Sequence, residues 1–132
     1  MTHLIDTDIC IYLIKHRNVE LENRFAEHPP YDIGVSAITV AELEYGVAKS
    51  RQVEKNRNAL LRFLSPFDIL PFDHTDTEQY GILRAVLEQQ GSPIGPYDLQ
   101  IASQALARGL VLVTNNEKEF RRVQGLRVEN WA

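Results

Sequence analysis

Asp6, Glu42, Asp98 and Glu119 are scattered along a chain of 132 residues, yet each stands where an acid asks for an explanation. Asp6, with Asp8, interrupts the apolar opening HLIDTDICIYLI over residues 3–14. A carboxylate removed from water without a partner costs several kcal/mol, so such an acid has a cation or a set of donors beside it. Glu42 falls between Ile38 and Tyr45 on a stretch that is apolar on most sides. Three, four and seven positions after Asp98 come Ile101, Ala102 and Ala105, which puts Asp98 on the inward stripe of a helix. Glu119 belongs to VTNNEKEF, which brings Thr114, Asn115 and Asn116 to the end of the apolar run Leu110–Val113.

Each acid also has a purely structural explanation. Asp6 or Asp8 could cap the first helix, and Asp98 could sit in a first turn for the helix dipole. Glu42 could pair with Arg84 or Arg108, and Glu119 could lie on a solvated face. All of these must hold at once for a common site to vanish, so a shared cation is the better account. His3, His16, His28 and His74 are scattered and Cys10 is the lone cysteine, which leaves no cluster of the kind zinc prefers. Oxygen ligands alone select Mg²⁺ or Mn²⁺. A multi-carboxylate site with open water positions suits phosphoryl chemistry. With no Walker loop, dinucleotide fingerprint or Gly-x-Ser-x-Gly elbow in the chain, hydrolysis of a phosphodiester leads.

The elements that must position these acids alternate along the chain. His3–Ile5 reads as a short buried strand and Asp8–Lys15 as a helix directly after it. A second helix over Val19–Glu27 is stopped by Pro29-Pro30. A strand over Asp32–Val35 follows, and Ser36 caps a helix through AITVAELEYGVAKS. The amphipathic segment Gln52–Leu64, a strand in FDILPF and a helix over Thr75–Gln90 come next. Gly95-Pro96 opens the helix YDLQIASQALAR and Gly109 closes it. The run Leu110–Val113 suits a strand buried on both faces, and a short helix over Glu117–Val123 and a strand over Leu126–Val128 complete the chain. This order implies an α/β/α sandwich around a mostly parallel sheet, with its site outside the carboxyl ends of the strands.

Composition sets the frame. The length fits one domain over residues 1–132, and 44% apolar residues suffice for one core. The formal charge of −4 argues mildly against non-specific nucleic-acid binding. It conceals a local basic stretch, Lys49, Arg51, Lys55, Arg57 and Arg62 against the single acid Glu54. A lone cysteine, no signal-like leader and no apolar stretch near the ~20 residues of a membrane span point to a soluble, cytoplasmic protein.

The segments LIDTDICIYLI, SAITVAELEYGVAKS, GSPIGPYDLQIASQALARG and LVLVTNNEKEF together resemble the PIN-domain ribonucleases, and more narrowly the VapC toxins of bacterial toxin–antitoxin pairs. The likeness runs to the closing GLRVENWA, and Gly-x-Pro-Ile-Gly-Pro-x-Asp over residues 91–98 is its most specific piece. It implies a PIN-like three-layer fold with a negatively charged pocket, and endoribonuclease activity dependent on Mg²⁺ or Mn²⁺. Asp6 and Asp98 then match the metal-binding acids and Glu42 the helix acid that completes the pocket. Many PIN domains carry Asp where this chain has Asn116; Glu119 takes the fourth acidic place, as in VapC relatives, and Thr114 is placed to orient a water.

The resemblance further implies RNA substrates, with initiator tRNA cleaved in its anticodon stem-loop among VapC proteins of this type. Lys49, Arg51, Lys55 and Arg57, with Lys15, Arg17, Arg62, Arg121 and Arg122, would attract RNA phosphates. It implies a VapB-type antitoxin whose tail sends an arginine into the acid pocket, a homodimer, and higher toxin–antitoxin assemblies. Ile9, Ile11, Tyr12 and Leu13 offer apolar surface for such contacts. Two alternatives stand beside it. The first is a phosphatase of the haloacid dehalogenase type, with Asp6 as nucleophile and Asp8 as general acid. The second is a non-catalytic RNA- or protein-binding module in which Asn116 marks decay.

Overall fold

A computed structural model describes residues 1–16 and 18–131. Its centre is a five-stranded sheet made of short apolar segments: β1 (His3–Ile5), β2 (Ile33–Ser36), β3 (Asp68–Leu70), β4 (Val111–Val113) and β5 (Val128–Glu129). All neighbours are parallel, in the order β3-β2-β1-β4-β5. The chain builds outward from β1 in one direction and then, with β4 and β5, in the other. The crevice between the carboxyl ends of β1 and β4 is therefore the topological switch point, where open α/β sheets place their ligands.

Alternation along the strands divides the core in two. Leu4 and Leu112 face α5 (His74–Gln89), α6 (Pro96–Arg108) and the short α7 (Glu117–Phe120), packing with Leu83, Leu99, Ala102 and Phe120. Ile5, Val35 and Val113 face the other way, towards α1 (Thr7–Lys15), α2 (Val19–Ala26), α3 (Ala37–Ala48) and α4 (Val53–Leu64). Leu4, Ile5, Leu112 and Val113 are fully buried because helices cover both faces of the sheet. This is the expected three-layer sandwich, with a sheet that is wholly rather than mostly parallel.

Local chemistry explains most helix ends. Ser36 caps α3 by accepting from the Ile38 N–H at 3.0 Å. Pro96 occupies the first turn of α6, and Gly109 ends it at φ +66°, a conformation that costs glycine nothing. Several boundaries move from their expected places. The first helix starts at Thr7 because Asp6, not a later residue, caps it. A 3-10 turn over Pro30–Asp32 delays β2 to Ile33. The last strand is Val128–Glu129 instead of Leu126–Val128, since pairing with β4 sets its register. Among the described residues no helix is long and apolar enough to cross a membrane.

Candidate active site

Asp6 is the first residue beyond β1. One carboxylate oxygen accepts from the Ile9 backbone N–H at 2.9 Å, and the other accepts from the Thr114 hydroxyl at 2.5 Å. Thr114 is the first residue beyond β4, so the two strands that flank the switch point supply an acid and the donor that holds it. The helix-cap explanation of Asp6 is correct but incomplete: capping occupies one oxygen, and Thr114 holds the other. Thr114 also accepts from the Asn116 backbone N–H at 2.9 Å. Having spent its proton on Asp6, it retains acceptor capacity for a water.

Glu42 reaches the same region from α3. Its carboxylate accepts from the Thr7 hydroxyl at 2.9 Å, and Thr7 lies 3.0 Å from the Thr39 hydroxyl. A threonine hydroxyl has one proton, so with Thr7 donating to Glu42, Thr39 must donate to Thr7. Both threonines are buried, and together they fix the carboxylate's direction. The arginines considered as partners for Glu42 are engaged elsewhere: Arg84 with Glu88 and Tyr80, Arg108 with Asp73 and Asp76. Glu119 accepts from the Asn116 side-chain amide at 2.5 Å. Asn116 thus serves two neighbours, its backbone holding Thr114 and its side chain holding Glu119.

Asp98, half-buried in the first turn of α6, differs from the rest. Among the described residues no hydrogen bond reaches its side chain. Burial, followed by the charges of Glu119, Asp6, Asp8 and Glu42, pushes its carboxyl up to about 7. Asp6 is pushed up to about 6, chiefly by burial, against the lowering effect of the Thr114 and Ile9 hydrogen bonds. The four acids therefore act on one another across the crevice. Asp8, exposed at the start of α1, adds its charge from the rim.

These residues suit a hard divalent cation. Every donor that holds the acids is neutral, and among the described residues no lysine or arginine forms an ion pair with any of the four. Repulsion among the carboxylates is left without a counterion from the chain itself. The oxygen-only character of the set favours ions of the Mg²⁺ type, which keep several waters and need few protein ligands. Among the described residues no three His, Cys, Asp or Glu side chains lie close enough together to hold an ion by themselves, so waters would have to complete its coordination. Of the four acids, Asp98 alone has no hydrogen-bond donor on its side chain among the described residues.

From Glu42 and Thr7 a groove of about 890 Å³ extends between α1, α3 and α4. Ile11, Ile14, Val47 and Leu60 line its apolar part, and Lys15, Lys49, Lys55 and Arg62 its charged part. The basic residues singled out from the sequence therefore divide. Lys49 and Lys55 line this groove, while Arg57 makes a two-pronged contact with Glu44 at 2.8 and 3.2 Å and Arg51 lies exposed outside the lining. Arg121 pairs with Glu117, Arg122 donates to the Pro93 carbonyl, and Arg17 lies outside the described residues. Of the apolar residues of α1, Ile9 is core, Tyr12 and Leu13 are partly buried against it, and Ile11 faces the groove.

Thr7 and Thr39 escaped sequence reasoning. The available signal was two hydroxyls at core-facing positions, one between Asp6 and Asp8, the other one turn before Glu42.

Known proteins resemble this chain over nearly its whole length. Residues 3–126 match the PIN domain family. The chain is 41% identical over 129 residues to the "tRNA(fMet)-specific endonuclease VapC" of Shigella flexneri, covering 98% of this chain and 97% of that protein. It is 46% identical over 132 residues to "Ribonuclease VapC2" of Rickettsia felis, covering 99% and 98%. The structure superposes with a TM-score of 0.96 on a chain of DNA-bound VapBC from Salmonella typhimurium, at 39% identity and coverage of 100% and 99%. These likenesses span the whole fold and leave no place for the phosphatase alternative. PIN-domain ribonucleases are in general metal-dependent. The chain belongs to the PIN-domain family and, within it, to the VapC ribonucleases.

Proposed function

We propose that this chain is the toxin of a VapBC-type pair, an endoribonuclease that uses Mg²⁺ or Mn²⁺ to hydrolyse a phosphodiester in structured RNA. The observation that carries the chemistry is Asp98: a half-buried carboxylate with no hydrogen-bond donor, facing four other acids. Asp6 and Asp98 would hold the ion. When bound, it supplies Lewis acidity at the phosphate, eases deprotonation of the attacking water and screens charge on the leaving oxygen.

The chain's own groups supply the rest. Asp6, held by Ile9 and Thr114, presents a fixed oxygen to the crevice. Glu42, oriented by Thr7, is positioned to accept a proton from water. Glu119, held by Asn116, is the fourth carboxylate of the pocket. No side chain is needed as a covalent nucleophile, and in-line attack by water leaves 5′-phosphate and 3′-hydroxyl ends. The relatives named as tRNA(fMet)-specific support a tRNA substrate, cut in the anticodon stem-loop. Relatives solved as VapBC complexes support a VapB-type antitoxin as partner. An antitoxin arginine entering the pocket would bring the positive charge that it lacks, through bidentate contacts. A homodimer within larger toxin–antitoxin assemblies, acting in the cytoplasm, completes this reading.

The test is to map RNA ends after brief expression of the wild type and of Asp98→Asn. New 5′-phosphate ends should accumulate with the wild type and be absent with Asp98→Asn, and purified protein should cleave only with a divalent ion. Undiminished, metal-dependent cleavage by Asp98→Asn defeats the assignment. Toxicity that persists without any cleavage favours a binding module instead.

A further inference from the structure

The groove that starts at Glu42 carries two aromatic rings that the acid pocket does not use. Tyr45 is 66% exposed and Tyr97 58% exposed, and both line this one groove. Tyr45 lies one turn after Glu42 on α3, and Tyr97 immediately precedes Asp98 on α6, a helix packed against α3. Each ring thus neighbours one of the acids. The tyrosines used structurally look different: the Tyr12 hydroxyl accepts from Asn18 and the Tyr80 hydroxyl from Arg84. Among the described residues the Tyr97 side chain makes no hydrogen bond or ring contact, and the Tyr45 side chain has only the Lys49 ammonium, 4.8 Å from its ring centroid.

A large ring left in water forgoes the stabilisation of burial. Two such rings in one groove, beside the acids, call for a flat ligand. Nucleic-acid bases are flat, each has a π-face, and single strands are commonly held by aromatic stacking alongside cations that track the backbone. Lys15, Lys49, Lys55 and Arg62 supply those cations in the same groove. In a duplex the base faces are hidden against one another, so the rings can serve only unpaired nucleotides.

We propose that Tyr45 and Tyr97 are stacking surfaces for unpaired bases flanking the cleaved phosphate, so that the groove selects a single-stranded loop over a paired stem. This rests on the nuclease reading and adds the feature of the substrate that the groove recognises.

Steady-state cleavage by the full chain with Mg²⁺ would be measured on three RNAs: a hairpin with an unpaired loop, that hairpin with abasic nucleotides flanking the cleavage site, and a matched duplex. Tyr45→Leu and Tyr97→Leu should each raise KM for the intact hairpin roughly 5- to 100-fold, the loss falling on KM and not on kcat. Tyr45→Phe and Tyr97→Phe, which restore the ring, should recover most of it. The abasic hairpin should raise the wild-type KM at least as far as either leucine substitution does, neither substitution should raise KM further on that hairpin, and the duplex should be a poor substrate throughout. An unchanged KM in the leucine variants, or equal losses on intact and abasic hairpins, overturns the proposal. So does weakened binding of a VapB-type antitoxin with KM for RNA intact, which would assign the rings to the protein partner. If the wild type cleaves none of these RNAs with Mg²⁺ or Mn²⁺, the nuclease reading itself falls and takes this one with it.

Discussion

Asp6 and Asp98 are both acids of the crevice, but they are held differently, and the difference sets how each responds to change. In the folded protein their carboxyls lie at about 6 and about 7, against 3.8 for an ordinary aspartate. Between about pH 4 and about pH 7 the folded state keeps protons that the unfolded chain has released. Stability contributed by this site therefore falls as pH rises through that window and levels off above it. Subtracting the melting profile of Asp98→Asn isolates the effect from Asp73, whose lowered carboxyl works in the opposite sense at lower pH. Divalent ions compete with these protons, so Mg²⁺ or Mn²⁺ should raise Tm more at about pH 8 than at about pH 5. Equal shifts at both would count against the acids acting together. Thr7 offers a second handle. Thr7→Val removes the donor to Glu42 at nearly constant shape and should lower kcat/KM or metal affinity roughly 10- to 100-fold, as loss of an orienting partner typically does. Thr7→Ser, which keeps the hydroxyl, should recover most of it.

At the scale of elements, α6 presents Asp98 at one end because its other end is anchored. Arg108, in the last turn of α6, donates to Asp76 at 3.0 Å and to the Pro71 carbonyl at 2.8 Å, and lies 3.4 Å from Asp73. Asp73 and Asp76 form the capping box at the start of α5, and Asp76 is fully buried. One arginine thus ties the end of one helix to the start of its neighbour. Arg108→Met leaves the Asp76 charge buried and without its cation. The expected loss is about 3 kcal/mol, the low end for a broken buried pair because Arg108 is partly exposed. Chemical denaturation measures it. Folded Arg108→Met should still cleave RNA, since Arg108 touches none of the crevice acids.

For the whole molecule, the total charge of −4 misleads about partners, because charge is segregated. Acids gather at the switch point, while Lys15, Lys49, Lys55 and Arg62 line the groove leading from it. A phosphate chain can follow the cations and deliver one phosphate to the acids, where a bound ion offsets the repulsion. If these four residues meet phosphates, affinity for a non-cleavable single-stranded RNA should fall with salt at a log–log slope of about −2 to −3. Lys49→Gln and Lys55→Gln should each flatten that slope by about 0.7. Arg57→Gln should change it least, because Arg57 already answers Glu44.

Periodicity, caps and breakers in the amino-acid sequence by themselves determined the order of strands and helices, the two-faced core and which acids stand at inward or strand-end positions. These are local properties, written in spacing: Asp98 precedes Ile101, Ala102 and Ala105 at helical intervals wherever the helix is placed. What only the tertiary structure decided are pairings between distant residues. Thr114 holds Asp6 across 108 positions, and Thr7 holds Glu42 across 35. Both depend on tertiary placement, β4 pairing with the free side of β1 and α3 packing against α1, which no local pattern records. The register of β5, the diversion of Arg57 to Glu44 and the meeting of Tyr45 with Tyr97 in one groove are of the same kind. Hydrogen bonds and ion pairs act over a few ångströms in space, whereas sequence patterns report only on neighbours along the chain.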